Sequence, residues 1–259
     1  TFLLRENDCR PAGRAAIAAG YRHVDTAAMY GNEAEVGEAI RNAGVARDDI
    51  FLTTKVWRDD IAEENLLRSA QASLKRLSLS QVDLLLIHWP NDAIPLESSI
   101  KGLCRARTEG LAKHIGVSNF PTALLEKAVR LAADNGEKLT LNQCEYHPTL
   151  DQSKVIAACR SHGMAFTSYS PLGHGDVTRN EAIRDIAGRL GRKPSQVVLR
   201  WHLQQGVIAI PRSSTPAHVE ENFDIADFEL SDADMAAISA LRSAQARLVS
   251  PGFAPAWDR

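Results

Sequence analysis

The run Val82-Asp83-Leu84-Leu85-Leu86-Ile87 constrains the fold more than any other stretch of the chain. It is apolar at nearly every position and lacks the alternation of a strand with one wet face. A strand buried on both faces reads this way, and such strands belong to parallel sheets covered by helices. Similar β-prone runs occur at residues 21–24, 50–54, 113–117, 139–143, 164–168 and 207–210. Helical patterns lie between them. Residues 33–41 place Val36, Ala39 and Ile40 on one stripe. Residues 65–77 do so with Leu66, Leu67, Ala70, Leu74 and Leu77, and residues 123–133 with Leu124, Leu125, Ala128 and Leu131. Pro194 opens a further helix, where its missing N–H costs nothing, and residues 196–203 continue it. Strict alternation of strand and helix means an α/β fold.

A length of 259 residues admits two small domains or one large one, and no linker, composition shift or repeat divides the chain. One domain over residues 1–259 is expected. Seven visible strands suggest a (β/α)8 TIM barrel whose first strand is nearly out of view. Thr1, Phe2 and Leu3 would be the tail of that strand and residues 12–20 the first helix. An open barrel exposes strand edges, so native residues are expected before Thr1. The competing fold, a doubly wound open sheet, normally carries GxGxxG after its first strand, and no such motif occurs.

With 44% hydrophobic and 24% charged residues the chain can build a core, and its net charge of −2 is spread over both signs. No basic block is present to hold a nucleic acid or an anionic membrane, and no apolar stretch approaches bilayer length. Residues 1–14 carry charges where an export signal needs an apolar run. Cys9, Cys104, Cys144 and Cys159 fit neither a metal-ligand spacing nor a CxxC pair, and read as reduced thiols. The expectation is a cytoplasmic monomer whose partner is a small molecule.

In a barrel of this type chemistry sits at the C-terminal ends of the strands. Read in order, those ends carry Asp25 (with Tyr30 in the loop that follows), Lys55, His88, Ser118-Asn119, Gln143, Tyr169-Ser170 and Arg212-Ser213. Any one of these alone is more often structural than functional. A hydrogen-bonding or charged residue at every apolar strand's end is harder to attribute to solvation. Adjacent strands would pair Asp25 with Lys55, and Lys55 would then stand beside Tyr30. A phenol has an ordinary pKa of about 10. A neighbouring cation favours the phenolate, so Lys55 is expected to lower that value and make Tyr30 a better proton donor. His88 could orient a substrate oxygen. The set suits protonation of a carbonyl oxygen while a hydride arrives at carbon.

At these residues the sequence resembles the aldo/keto reductase family. The matching stretches are GYRHVDTAAMYGNEAEVGEAI (20–40), LTTKVW (52–57), VDLLLIHWP (82–90), GLAKHIGVSNF (110–120), NQCEYHP (142–148), SYSPLG (168–173) and IPRSSTPAHVEENF (210–223). The ending RLVSPGFAPAWD (247–258) and the short loop after His88 look most like the bacterial 2,5-diketo-D-gluconate reductases, in particular the shorter type associated with methylglyoxal reduction. The resemblance implies a (β/α)8 barrel and a catalytic tetrad of Asp25, Tyr30, Lys55 and His88. It implies that Ser118, Asn119 and Gln143 hold the nicotinamide carboxamide, that Tyr169 stacks on the ring, and that Ser170 and Leu172 follow the pyrophosphate. Arg212, Ser213, Thr215, His218, Glu221 and Asn222 would lie at the adenosine end. Phe2 and Trp89, with Trp57, would line the substrate pocket. Two positions depart from the family. Arg212 stands where Lys is usual, and His218 where Arg is usual, which exchanges a permanent cation for a group mostly neutral at pH 7. Arg212 still offers a bidentate fork to a 2′-phosphate. NADPH is therefore the expected cofactor, with some NADH use. The family's N-terminal hairpin has no counterpart in this sequence.

Glu145 and His147 with Cys144 raise the question of a metal. Residues alternating along a strand cannot all face one ion, and Pro148 turns the chain away, so no metal is expected. Two other functions compete with carbonyl reduction. A cofactor-sensing regulatory protein on the same barrel has little need to keep Tyr30, Lys55 and His88 together. Relatives that reduce a conjugated C=C bond have Glu at the position of His88.

Overall fold

The computed structural model describes residues 1–4, 6–243 and 246–258. Its strands are β1 (His23–Asp25), β2 (Phe51–Val56), β3 (Val82–Ile87), β4 (Ala112–Ser118), β5 (Leu141–Glu145), β6 (Ala165–Tyr169) and β7 (Ile208–Ala209). The helices are α1 (Glu6–Ala19), α2 (Glu33–Arg41), α3 (Glu63–Leu77), α4 (Leu96–Thr108), α5 (Thr122–Asp134), α6 (Ser153–Ser161), α7 (Glu181–Leu190), α8 (Pro194–Gln204), α9 (Pro216–Phe223) and α10 (Asp232–Ser239). The seven strands pair in chain order, every neighbouring pair parallel. The sheet is curled, and among the described residues no pairing joins β7 back to β1.

β3 is buried at all six positions, as its composition requires. Leu85 and Ile87 join the large core shared with the helices, whereas Leu84 and Leu86 meet Leu141 of β5 in a second, smaller apolar cluster. Gly116 of β4 makes room for that cluster. A Cβ there would lie 2.4 Å from the Leu141 carbonyl oxygen and 2.9 Å from Leu86 Cδ2. Two of the helices are stopped or started by local chemistry. Ser231 and Asp234 form a reciprocal capping box at the start of α10. Asn180 accepts from the Ile183 N–H at the start of α7, and Gly191 ends that helix in a left-handed conformation.

Two expectations are corrected. The first helix begins at Glu6, not after Pro11, which lies inside it. Cys9, Ala12 and Ile17 are buried along one face, so packing outweighs the bond that Pro11 cannot make. Residues 1–4 form a turn rather than a strand. Leu3 has a left-handed φ of 61°, and the Leu4 N–H donates to the Thr1 carbonyl at 3.0 Å. One strand-like bond remains on the open side of β1, from the Thr1 nitrogen to the Asp25 carbonyl at 2.9 Å. No helix among the described residues is long and apolar enough to cross a membrane. All four cysteines are buried and free.

Candidate active site

Asp25 ends β1 and pairs in register with Thr53, so Lys55, two residues further along β2, projects to the same side of the sheet. Lys55 is 0% exposed. Its Nζ donates to Asp25 Oδ1 at 2.5 Å, to the Thr26 carbonyl at 3.0 Å and to Tyr30 Oη at 3.2 Å. Three acceptors thus replace the water that burial removes from the ammonium. Burial works against its charge, but Asp25 and Tyr30 outweigh that and raise its pKa. Burial likewise pushes Asp25 up, and Lys55, with the Thr1 amino group and the Gln143 amide, more than reverses it, leaving Asp25 below the usual carboxylate range. Both groups are charged through neutral pH.

The phenol behaves differently from the expectation. Burial raises the Tyr30 pKa, and the opposing effect of Lys55, itself partly cancelled by Asp25, does not overcome it. Tyr30 therefore keeps its proton through neutral pH. Because its oxygen accepts from Lys55, the O–H proton is left for another acceptor. A phenolate formed by losing that proton would stand beside an ammonium. His88 follows β3, and its ring meets those of Tyr30 and Trp57 edge-on at 5.6 and 5.3 Å. Burial, with Lys55 adding to it, lowers the His88 pKa to about 3, so the ring is neutral at physiological pH. Its buried Nδ1 has no hydrogen-bond partner. A site with a neutral imidazole and a free phenolic proton can address one incoming oxygen.

A row of polar side chains adjoins this centre. Ser118 Oγ donates to the Gln143 carbonyl at 2.8 Å, and Gln143 Nε2 donates to Asp25 Oδ2 at 2.8 Å. Asn119 has a left-handed φ of 64°, which Asn tolerates better than most residues. Its Nδ2 donates to the His88 carbonyl at 3.0 Å and to Ser118 Oγ at 3.1 Å, and its Oδ1 accepts from Tyr169 Oη at 2.8 Å. The row offers amide donors and acceptors together, the chemistry that matches a carboxamide. Ser170, with φ of 49°, starts the loop after β6, and its Oγ lies 3.3 Å from His174 Nε2. Leu172 packs against the core edge. Arg212, Ser213, Thr215, His218, Glu221 and Asn222 lie together on the segment after β7 and on α9. The Ser213 hydroxyl accepts from the Thr215 N–H at 3.0 Å. Arg212 and His218 are exposed and make no ion pair among the described residues, so both are free for an anion.

Phe2 lies 5.2 Å from the Tyr30 ring, and Trp57 borders His88. Trp89 is 5% exposed because Phe253 and Trp257 cover it, at 5.7 and 6.0 Å between ring centres. Those two aromatic residues carried no role in the sequence reading. The motif that contains them was visible, but no local signal says where a terminal segment docks. Glu145 and His147 meet at 3.0 Å, as residues two apart on one side of an extended chain can, while the Cys144 thiol bonds to Asn142 instead.

The model of the aldo/keto reductase family matches residues 5–243. The chain belongs to the aldo/keto reductase family. It is 40% identical over 261 aligned positions to methylglyoxal reductase DkgB of Escherichia coli O157:H7, covering 100% of this chain and 97% of that protein. A solved structure described provisionally as a 2,5-diketo-D-gluconic acid reductase B has a TM-score of 0.95 and 43% identity, covering 99% of this chain and 91% of that one. The aldo-keto reductase of Bombyx mori, solved in complex with NADP, is 33% identical with a TM-score of 0.87, covering 97% and 88%.

Proposed function

We propose that this aldo/keto reductase reduces small aldehydes and ketones to alcohols, dicarbonyls such as methylglyoxal and 2,5-diketo-D-gluconate among them, with NADPH as its cofactor. The observation that carries the reading is the Lys55 ammonium bonded at once to Asp25 and Tyr30, with the Tyr30 proton left uncommitted. NADPH supplies the hydride to the carbonyl carbon when bound. Tyr30 gives its phenolic proton to the carbonyl oxygen as the C–O double bond becomes single, and the negative charge left on Tyr30 rests beside Lys55. Asp25 keeps Lys55 charged and aimed. Neutral His88 orients the substrate oxygen.

Ser118, Asn119 and Gln143 fit the carboxamide by their mixed donor and acceptor atoms. Tyr169, held by its bond to Asn119, offers a ring face for the nicotinamide. Ser170 and Leu172 would follow the pyrophosphate. Ser213, Thr215, Glu221 and Asn222 would meet the adenosine. Arg212, with His218 on α9 where a second permanent cation is missing, would read the 2′-phosphate, which leaves room for some NADH use. Phe2, Trp57 and Trp89 would bound the substrate. In the same reading the curled sheet is part of a (β/α)8 barrel forming one domain over residues 1–259, with the gap between β7 and β1 as the place of an eighth strand. Consumption of NADPH and of NADH is followed with methylglyoxal and with 2,5-diketo-D-gluconate. Reduction of at least one by NADPH is expected. Tight NADPH binding without turnover on a broad panel of carbonyls would favour a cofactor sensor instead.

A further inference from the structure

Glu145, at the end of β5, is 0% exposed and has no Lys or Arg within ion-pair distance among the described residues. A buried carboxylate is costly unless several donors reach it. Here Oε1 accepts from the Leu248 N–H at 2.6 Å and faces His147 Nε2 at 3.0 Å, while Oε2 accepts from the Val249 N–H at 2.8 Å. His147 is held in turn by Thr149 Oγ1 at 2.9 Å from its Nδ1. Burial pushes the carboxyl group up, but these donors hold it below its ordinary value. Two successive backbone N–H groups of a segment about 100 residues away in sequence are thus fixed on one side chain.

Beyond that point the segment crosses the substrate side of the site. Phe253 lies edge-on to Trp57 at 5.8 Å and to Trp89 at 5.7 Å, with the Arg58 guanidinium 4.5 Å from its ring centre. Trp257 rests on Trp89 and under the Arg247 guanidinium, 3.7 Å away. The far end is tied as well, since Asp258 Oδ2 accepts from the Thr122 N–H and hydroxyl at 2.9 and 3.0 Å where α5 begins. The segment is therefore a strap with an anchor at each end and two aromatic rings between.

We propose that Glu145 is a positioning residue for substrate selection: its carboxylate sets the register of residues 247–258 and so fixes Phe253 against Trp57, beside His88. The inference rests on the carbonyl-reductase reading above. Glu145 touches neither Tyr30 nor Lys55, so the anchor shapes the wall of the site and not its proton chemistry. Glu145 is also the register partner of Tyr169, so cofactor binding has to be measured separately.

The test compares wild type with Glu145→Gln and with Val249→Pro, which removes one donor N–H and leaves the carboxylate in place. Methylglyoxal and the bulkier 4-nitrobenzaldehyde are the substrates, and NADPH affinity and acrylamide quenching of tryptophan emission are measured alongside. Losing a charge-assisted bond should raise KM for 4-nitrobenzaldehyde by about tenfold more than KM for methylglyoxal, with kcat and NADPH affinity much less affected. Quenching should increase in both variants as Trp57, Trp89 and Trp257 lose their cover. An unchanged ratio between the two substrates in both variants, or equal losses accompanied by weaker NADPH binding, overturns the proposal. If wild type reduces neither aldehyde, the function reading fails, and quenching alone then decides the anchor: unchanged quenching rejects it.

Discussion

Replacing Lys55 by Met removes one charge from a site that leaves little room for adjustment. Lys55 is fully buried, and Asp25 Oδ1 is 2.5 Å from its Nζ. After the substitution the Asp25 carboxylate keeps the Gln143 amide as a side-chain donor but loses its paired ammonium. The nearly equal length of Met limits any cavity, so the loss is mainly electrostatic. Breaking a buried pair from one side costs about 3–5 kcal/mol. Tyr30 loses the one neighbour that lowers its pKa while burial still raises it, so the phenol becomes a poorer acid. Removing a group that stabilises developing charge typically costs about 10²–10³ in kcat. The two losses separate in a double variant. Adding Asp25→Asn to Lys55→Met removes the stranded charge and should restore most of the urea stability without restoring turnover. Equilibrium urea unfolding at pH 7 and single-turnover reduction of methylglyoxal measure both quantities. A Lys55→Met protein with the wild-type urea midpoint would refute the buried-pair argument, and one with wild-type single-turnover rate would refute the role of Lys55 beside Tyr30.

Three further outcomes are expected. Tyr30→Phe keeps the ring and loses the proton, so NADPH affinity should persist while carbonyl reduction falls by about 10²-fold or more; near wild-type turnover where chemistry limits the rate would remove Tyr30 from the acid role. Arg212→Gly should narrow or reverse the NADPH preference and His218→Arg should widen it by tightening NADPH; equal kcat/KM discrimination in wild type and Arg212→Gly would mean the 2′-phosphate is read elsewhere. Burial lowers His88 to about 3 and His202 to about 4, so the unfolded chain takes up protons that the folded one does not. Stability should then fall as pH drops from about 6.5 towards 4, by about 1.4 kcal/mol per pH unit for each ring, and a urea midpoint constant from pH 7 to 5 would contradict it.

The alternation of segments and the polar residues near the strand ends were legible because each is a local pattern, although Lys55 and Gln143 lie inside β2 and β5 rather than at their ends. β3 is found at its expected bounds since all six positions are buried, and α2 since its stripe is complete. α1 starts before the expected residue 12 because the burial of Cys9 carries the helix back through Pro11, and no local pattern shows that burial. The pairing of Asp25 with Lys55 follows from parallel register and was accessible from sequence. The direction of the Tyr30 shift was not. It is a balance between desolvation, which depends on everything packed around the ring, and one cation, and only the cation was in view. The strap over Trp57 and Trp89 was hidden for a related reason, since its anchor Glu145 looks like any strand carboxylate until Leu248 and Val249 are seen against it.

One contact bears on a choice that the sequence made only by the absence of a motif. Gln143 and Asp25 lie on strands four places apart in the sheet order. Neighbouring strands are about 4.8 Å apart, so in a flat sheet these two would stand about 19 Å from each other. A Gln and an Asp side chain together cannot span that gap. Their bond is 2.8 Å, so the C-terminal end of β1 and the middle of β5 must turn toward one another across the inner face of the sheet. That curvature also gathers Lys55, His88 and Asn119 from the strands between them, and Leu84, Leu86 and Leu141 fill the space beneath. A doubly wound sheet would leave the same residues in a line along one edge, each within reach of its immediate neighbours and no others. The ion pair and the amide row can act on one ligand because the sheet bends, and the Gln143–Asp25 bond ties the two halves of the site at the point where they meet.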